Sequence, residues 1–166
     1  LVEMAGGEAI KGLDGRSFLG VLQGKTKRHN SVTYGVHTQI NAIGSPPTGY
    51  AVRSIRAGKW KYIMNLNHTV TFNNAVTKND KEKYWVSWIQ AAKTDAKAAL
   101  LVKRYLNRPN DELYDLNSDP HELNNLAGQV KQAKVKARLK QQLQDWMASQ
   151  GDLGQATEMA AKRNRK

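Results

Sequence analysis

The stretch Asn107–Ala127, with the sequence NRPNDELYDLNSDPHELNNLA, constrains the fold most, because nearly every residue in it suits a particular backbone role. Leu113, Tyr114 and Leu116 are apolar residues set among acids, a pattern typical of a half-buried edge strand. The Asn-Ser pair that follows favours a turn. The first half of the stretch therefore predicts a strand over Glu112–Leu116 that ends in a turn.

The second half of the stretch has the pattern of a capped helix start. Asp119 suits the N-cap, Pro120 suits the first helical position, and Glu122 completes a capping-box arrangement with Asp119. Leu123 and Leu126 are three residues apart and would share one face of this helix. The stretch therefore predicts a strand–turn–helix joint, and none of its residues needs a chemical role to be explained.

Three further segments alternate between apolar and other residues, as strands do. Tyr50–Ile55 and Trp60–Leu66 flank the sequence Ala57–Lys59, which suits a tight hairpin turn. Ser31–His37 alternates in the same way. Together with Glu112–Leu116, these segments predict an antiparallel sheet of about four strands.

The remaining apolar residues recur at helical spacing. A long helix from Asp80 carries Trp85 and Trp88 on one face, breaks near residues 94–95 and ends before Pro109. Aromatic residues at this spacing are usually core residues, although exposed ones can stack on sugars. A last helix ends at Gly151 and carries a clean apolar stripe, formed by Val135, Leu139, Leu143, Trp146 and Met147. The predicted fold class is α+β, a small antiparallel sheet packed by a C-terminal helix.

Three segments, in order along the chain, resemble the sulfatase family. E-L-Y-D-L, a spacer, D-P-x-E and N-L-A are similar to the family's C-terminal signature. The segment YAVRSIRAGKWKYIMNL, at residues 50–66, is similar to a strand pair of the form R-x-I/V-R-x-x-x-Y/W-K-Y-I. L-V-E-x-A-G-G-E and L-D-G-R-S-F-L, within residues 1–24, resemble the end of the catalytic domain. Residues 84–98 and the pair Arg108-Pro109 are most similar to heparan N-sulfatase-like members.

This resemblance implies a fold and a division of the chain. The sheet would belong to the C-terminal subdomain of an alkaline-phosphatase-like α/β sulfatase. Residues 1–24 would be the tail end of the catalytic α/β domain, and residues 25–152 the sulfatase C-terminal subdomain. Residues 153–166 would be a basic, disordered tail.

The resemblance also implies chemistry that this chain does not carry. Sulfatases hydrolyse sulfuric esters or sulfamates with a formylglycine made from a C/S-x-P/A-x-R motif, beside a calcium ion held by Asp-Asp and Asp-Asn pairs. The chain has no cysteine and neither motif. We therefore expect a piece of a longer protein that is inactive alone and contributes one wall of the substrate pocket. Its expected partners are a missing N-terminal catalytic domain and a sulfated glycan substrate.

The candidate site residues are His37, Thr38 and Arg53. His37 and Thr38 follow a strand and open a Gly/Pro loop, a common place for ligand contacts. The matching segment of heparan N-sulfatase-like members approaches the pocket, so these two would bind sugar or sulfate; an ordinary loop hydrogen bond is the alternative. The Arg53 guanidinium suits a sulfate, but its central strand favours a structural pair with Glu112 or Asp115.

The net charge of +12, from 26 basic and 14 acidic residues, leaves other functions open. Such an excess suits a polyanion, so the alternative is a basic binding module for sulfated glycan or nucleic acid. Nucleic acid is the less expected partner, because the basic residues at 131–140 have no interleaved aromatic residues. A structural fragment without independent function is the third hypothesis.

No apolar run is long enough to span a membrane, and the first residues lack the pattern of a signal peptide. We therefore expect no membrane partner. The cellular location stays open, although the parent family is often periplasmic, secreted or lysosomal.

Overall fold

A computed structural model of the protein describes residues 2–8, 11–13, 15–38, 50–74, 76–77 and 83–163. The chain forms two compact units, Leu1–Thr33 and Tyr34–Lys166. The first unit contains a 3-10 turn at Glu3–Ala5 and a one-turn helix α1 at Leu19–Leu22. The apolar side chains of Met4, Leu13 and Leu22 are each more than half exposed.

Four strands form one sheet in the order β1-β2-β3-β4. β1 is Val32–His37, β2 is Val52–Ala57, β3 is Trp60–Asn65 and β4 is Asp111–Asp115. β3 pairs antiparallel with β2 on one side and with β4 on the other. The α+β class with a small antiparallel sheet is thus confirmed, with strand ends within two residues of the predicted ones.

Apolar residues in register form a buried row across the sheet. Ile55 of β2 lies opposite Tyr62 of β3, which lies opposite Leu113 of β4, and all three are fully buried. Helix α4 (Ala133–Ser149) packs on β2 and β3, and its Leu139 and Leu143 are also fully buried. Because burial of one such aliphatic side chain contributes about 1.5–3 kcal/mol, this layer is the centre of the core. The apolar stripe predicted for the helix that ends at Gly151 is therefore confirmed in α4.

Two helices precede β4, as the predicted break requires. α2 is Lys83–Ala91 and α3 is Ala96–Leu106. The carboxylate of Asp95 accepts hydrogen bonds from the backbone N–H groups of Lys97 (2.7 Å) and Ala98 (3.2 Å), so it caps α3 and fixes the break. Trp85 is buried, whereas half of Trp88 is exposed, so only one of the two indoles is a core residue. Asp80, the predicted start of α2, lies outside the described residues.

The helix predicted after Asp119 is not formed, and that prediction was wrong. The Asp119 carboxylate accepts hydrogen bonds from the N–H groups of Leu123 (2.9 Å) and Asn124 (2.7 Å), beyond the positions that a helix N-cap serves. Glu122 has a left-handed φ of 56°, which interrupts helical progress. Its carboxylate binds Lys61 Nζ at 2.7 and 2.8 Å, so a contact to β3 replaces the capping box.

The tail that was predicted to be disordered contains a helix, α5, at Gln155–Arg163. The backbone N–H of Leu153 donates to Thr157 Oγ1 at 2.7 Å, next to the start of the helix. Glu158 is buried, which fixes α5 to the second unit. The tail has few apolar residues, so its sequence gave no sign that it packs on the rest of the unit. The attachment depends on the charge of Glu158 instead. Residues 164–166 lie outside the described residues.

The connection between α4 and α5 contains two glycines with left-handed φ, Gly151 (66°) and Gly154 (64°). Such values suit glycine because it has no Cβ. Gly151 directly follows the last turn of α4, at the place where the sequence predicts the end of that helix. Within the described part of the chain, no helix combines the length and the apolar character that a bilayer crossing needs.

Candidate functional site

A buried ion cluster lies where β2 meets the C-terminal segment. Arg53 is only 2% exposed. Its Nε and Nη2 donate to the two carboxylate oxygens of Asp152 at 2.5 and 3.2 Å, and Nη2 also donates to Glu158 Oε1 at 2.7 Å. Its Nη1 donates to the carbonyl oxygens of Val52 (3.2 Å) and His37 (3.4 Å). The guanidinium therefore joins β2, the end of β1 and α5.

The predicted partners of Arg53 were wrong. The carboxylate of Glu112 accepts hydrogen bonds from Asn65 Nδ2 (2.7 Å) and from the Tyr114 hydroxyl. Asp115 instead pairs with Lys59 at 2.5 Å. Other side chains of the sheet and its turn thus satisfy both predicted acids, and acids from the C-terminal segment reach the arginine.

The charges in this cluster stabilise one another. Burial raises the pKa of the Asp152 carboxyl, but hydrogen bonds from Arg53 and from the backbone N–H of Gly154 outweigh burial, so this pKa lies below its usual range. Burial lowers the pKa of Arg53, but the hydrogen bonds and charges of Asp152 and Glu158 outweigh burial, so this pKa lies above its usual value. Arg53 and Asp152 are therefore both ionised at neutral pH.

The structure brings the three predicted site residues together, but two of them are exposed and the third is buried. His37 is the last residue of β1, and both His37 and Thr38 have exposed side chains. Arg53 is buried and donates to the His37 carbonyl. A guanidinium has five N–H donors, and Nε, Nη1 and Nη2 are all engaged by the chain's own oxygens. Binding of an external sulfate through Arg53 would require the cluster to open.

Sequence reasoning missed Phe72, which lies in a mostly polar segment between β3 and α2. Its backbone N–H donates to the Leu106 carbonyl at 2.7 Å, and its ring is almost fully buried. The rings of Tyr50 and Tyr105 lie edge-on to it, with centroids at 5.0 and 5.5 Å. The His37 ring lies 6.1 Å away. A lone aromatic residue in a polar stretch was the only sequence signal for this contact.

Arg108, between α3 and β4, completes the group around Phe72. Its guanidinium carbon lies 4.5 Å from the centre of the Phe72 ring and 5.7 Å from that of Tyr105, as in a cation–π contact. Tyr50 is 1% exposed, and burial raises the pKa of its hydroxyl to about 12, although the nearby Arg108 charge lowers it. The hydroxyl therefore keeps its proton at neutral pH.

Among the described residues, no group of three histidine or acidic side chains has the arrangement that a metal ion needs. Asp111, the acid at the start of β4, illustrates why. Its carboxylate accepts a hydrogen bond from the Tyr62 hydroxyl and lies 3.5 Å from Lys140 Nζ. Burial raises the pKa of Asp111, but these contacts outweigh burial, so this pKa lies below its usual range. The carboxylate is therefore already engaged by the chain's own side chains. The described residues thus do not fit a calcium ion.

Comparison with known proteins identifies the family. Residues 82–149 match the family described as N-sulphoglucosamine sulphohydrolase, C-terminal. An ulvan-active sulfatase from Formosa agariphila is 35% identical over 152 residues, which are 92% of this chain and 28% of that protein. The chain belongs to the sulfatase family, as a C-terminal portion.

A solved structure shows the same fold for this sulfatase portion. The crystal structure of a candidate sulfatase from Bacteroides thetaiotaomicron superposes with a TM-score of 0.55 and 20% identity. The match covers 90% of this chain and 23% of the other. The sulfatase portion therefore spans less than a third of the length of each relative. The resemblance to the C-terminal portion of sulfatases that was seen in the sequence is confirmed.

Proposed function

We propose that this sulfatase portion forms one wall of the substrate pocket in a larger hydrolase that acts on the sulfuric esters or sulfamates of a glycan. The observation that carries the proposal is the end of β1. The exposed side chains of His37 and Thr38 stand on a backbone that the buried Arg53 cluster fixes. A binding site gains affinity when its polar groups are fixed before the ligand arrives.

Each of the three residues has a separate role in this proposal. The His37 imidazole and the Thr38 hydroxyl donate hydrogen bonds to the sugar or to its sulfate. Arg53 is a positioning residue, because it holds the His37 carbonyl while its other donors bind Asp152 and Glu158. The nucleophile and the calcium ligands of the parent family belong to another part of the protein. The sulfatase portion alone is therefore expected to be inactive.

The first unit supports the proposed partner. Its exposed apolar residues include Met4, Leu13 and Leu22, and such a surface is typical of a segment that packs against further protein. We propose the N-terminal catalytic portion of the same sulfatase as that partner. The alternative of a free polyanion-binding module is not favoured, because 92% of the chain aligns with a sulfatase.

The proposed substrate class is a sulfated saccharide, and N-sulfoglucosamine is its first candidate. The description of the matching family supports a sulfamate on nitrogen. The pair Arg108-Pro109 supports the same heparan N-sulfatase-like assignment. The relative named for activity on ulvan makes a sulfate ester the competing chemistry.

Steady-state hydrolysis tests this proposal. The sulfatase portion alone and the protein in which it is joined to the catalytic portion are each given N-sulfoglucosamine and a chromogenic aryl sulfate. We expect turnover by the joined protein only. His37→Ala in the joined protein should raise the KM for the saccharide about tenfold or more, because a hydrogen bond to a charged group contributes about 1.5–3 kcal/mol.

The matched control for this experiment is His121→Ala, which removes an exposed histidine from the loop after β4. This variant should keep the KM of the unmodified protein. A His37→Ala variant whose KM equals that of the control would refute the pocket-wall role. Turnover by the sulfatase portion alone would refute the assignment of the nucleophile to another part of the protein.

A further inference from the structure

Arg108 is a fixed cation without an anionic partner in the described ranges. Its guanidinium is held against the rings of Phe72 and Tyr105. Within those ranges it forms no ion pair, and its Nε is buried without a hydrogen-bond partner. Arg53 is the contrasting case, since its donors are engaged by two carboxylates and two carbonyl oxygens.

Tyr50, whose ring also contacts Phe72, adds a second unused donor. Its hydroxyl oxygen is buried and has no hydrogen-bond partner among the described residues. Phe72 contacts both the Tyr50 ring and the Arg108 guanidinium, and the Arg108 charge acts on the Tyr50 hydroxyl. The exposed His37 ring lies 6.1 Å from the same Phe72 ring. One buried ring therefore connects a cation, a hydroxyl and a proposed substrate contact.

Two unsatisfied polar atoms on residues that contact the same ring need an explanation. Leaving a buried donor without a partner costs about 1–3 kcal/mol, and more where the group is charged. Residues 39–49, which precede Tyr50, contain no acidic residue. In the second unit, the acids outside the described ranges are Asp80 and Glu82. An oxygen of the chain outside the described ranges, a water molecule or a ligand can supply this partner, and an anion is the partner that best offsets the buried charge of Arg108.

We propose that Arg108 and Tyr50, held by Phe72 beside His37, form a subsite for a second oxyanion of the substrate. This oxyanion is a carboxylate or sulfate on the saccharide that is not itself hydrolysed. Arg108 supplies a planar fork of donors that matches either group, and Tyr50 supplies one O–H donor. The inference rests on the proposed function, because it places the subsite next to His37 in the same pocket wall.

The test is an NMR titration of the 166-residue chain, following the Nε–Hε signals of its arginines. The probes are sodium glucuronate, which carries a carboxylate, and sodium sulfate; glucose and sodium chloride are the controls for sugar and ionic strength. We expect a saturable shift of the Arg108 signal with glucuronate or sulfate and none with either control. The tighter of the two probes identifies the oxyanion.

Variants of Arg108 and Tyr50 test whether these two donors cause the binding seen by NMR. In these variants, binding is followed by isothermal titration calorimetry. Arg108→Gln should abolish binding, and Arg108→Lys should weaken it about tenfold, because lysine keeps the charge but loses the fork. Tyr50→Phe keeps the ring and should weaken binding severalfold. Arg56→Gln, which changes an exposed arginine on β2, should leave it unchanged. Thermal unfolding of each variant shows that the fold persists.

Three outcomes would overturn the subsite. The first is an Arg108 signal that does not saturate with either probe up to the solubility limit of the salt. The second is binding that survives in folded Arg108→Gln. The third is binding that appears only after Asp80→Asn or Glu82→Gln, which would show that the chain's own acid fills the site. None of these outcomes involves hydrolysis, so failure of the subsite is distinguishable from failure of the pocket-wall proposal.

Discussion

Replacement of Arg53 by methionine is the most informative single change in this structure. Methionine keeps much of the length of the arginine stem but removes the charge and all five donors. The carboxylates of Asp152 and Glu158, which are 11% and 5% exposed, then lie side by side without a cation. The carbonyl of His37 loses its donor as well.

The expected loss of stability is large. Removing one partner of a buried ion pair costs about 3–5 kcal/mol, because the remaining charge stays desolvated. Here two carboxylates remain, so we expect the free energy of unfolding to fall by about 3–5 kcal/mol. A typical domain has only about 5–15 kcal/mol in total. Arg56→Met, on the same strand but exposed, should change it by no more than about 0.5 kcal/mol.

Urea unfolding followed by circular dichroism measures this difference, and its pH dependence tests the mechanism. In the unmodified chain, the lowered pKa of Asp152 gives stability that is complete above about pH 4 and lost as the pH falls further. In Arg53→Met, Asp152 keeps its burial but loses its cation, so we expect its pKa to lie above its usual range and protonation to stabilise this variant as the pH falls towards about 4. The difference between the two proteins should therefore shrink from pH 7 to pH 4.

Two results would refute this reasoning. The first is a loss no larger than that of Arg56→Met, which would mean that the ion cluster contributes little. The second is a loss that is the same at pH 7 and pH 4, which would mean that packing, not charge, explains it. The triple variant Arg53→Met, Asp152→Asn, Glu158→Gln should recover most of the stability, because no buried charge remains.

The remaining predictions concern the packing of the sheet. Gly35→Ala should destabilise the chain by about 1–3 kcal/mol, because a Cβ there would lie 2.6 Å from Ser54 Oγ; Ser54→Ala in the same chain should recover most of this loss in urea unfolding. Leu143→Ala should cost about 2–5 kcal/mol, measured in the same way, because the leucine is fully buried between α4 and the sheet. Tyr34→Ala should lower the free energy of unfolding by about 0.5–1.5 kcal/mol more than the lost apolar burial alone, since the Tyr34 ring stacks on Trp146 at 4.5 Å. A double-mutant cycle with Trp146→Ala measures this coupling.

The sheet and helix α4 could be predicted because their signals are local. The alternation along Trp60–Asn65 was enough to predict a strand, although buried residues lie on both faces of β3. The apolar stripe with Leu139 and Leu143 reflects one buried face of α4. The break between α2 and α3 was equally readable, since Asp95 caps the helix that follows it. In each case the residues that decide the structure lie within a few positions of one another.

The ion cluster could not be predicted because its members are far apart in sequence. Arg53 lies 99 residues before Asp152 and 105 before Glu158, whereas the sheet offered nearer acids. The missing helix after Asp119 has a similar cause. Its capping pattern was correct as a local pattern, but Lys61 on β3 binds Glu122 and the backbone there becomes left-handed. Long-range charge pairs overrode local propensity at both places.

The site could be predicted only in part. The position of His37 and Thr38 at a strand end was visible in the sequence, and their exposure agrees with it. The arrangement around Phe72 was not visible, because it depends on contacts between residues from four separate segments. The role of His37 and Thr38 in substrate binding stays a prediction.

A co-crystal structure would show whether His37 and Thr38 contact the substrate. The crystal would contain this sulfatase portion joined to its catalytic portion, with a sulfated saccharide bound at the nucleophile. We expect the His37 ring or the Thr38 hydroxyl to lie within about 3.2 Å of a saccharide oxygen. A bound saccharide that touches neither residue, and that is enclosed entirely by the catalytic portion, would contradict it.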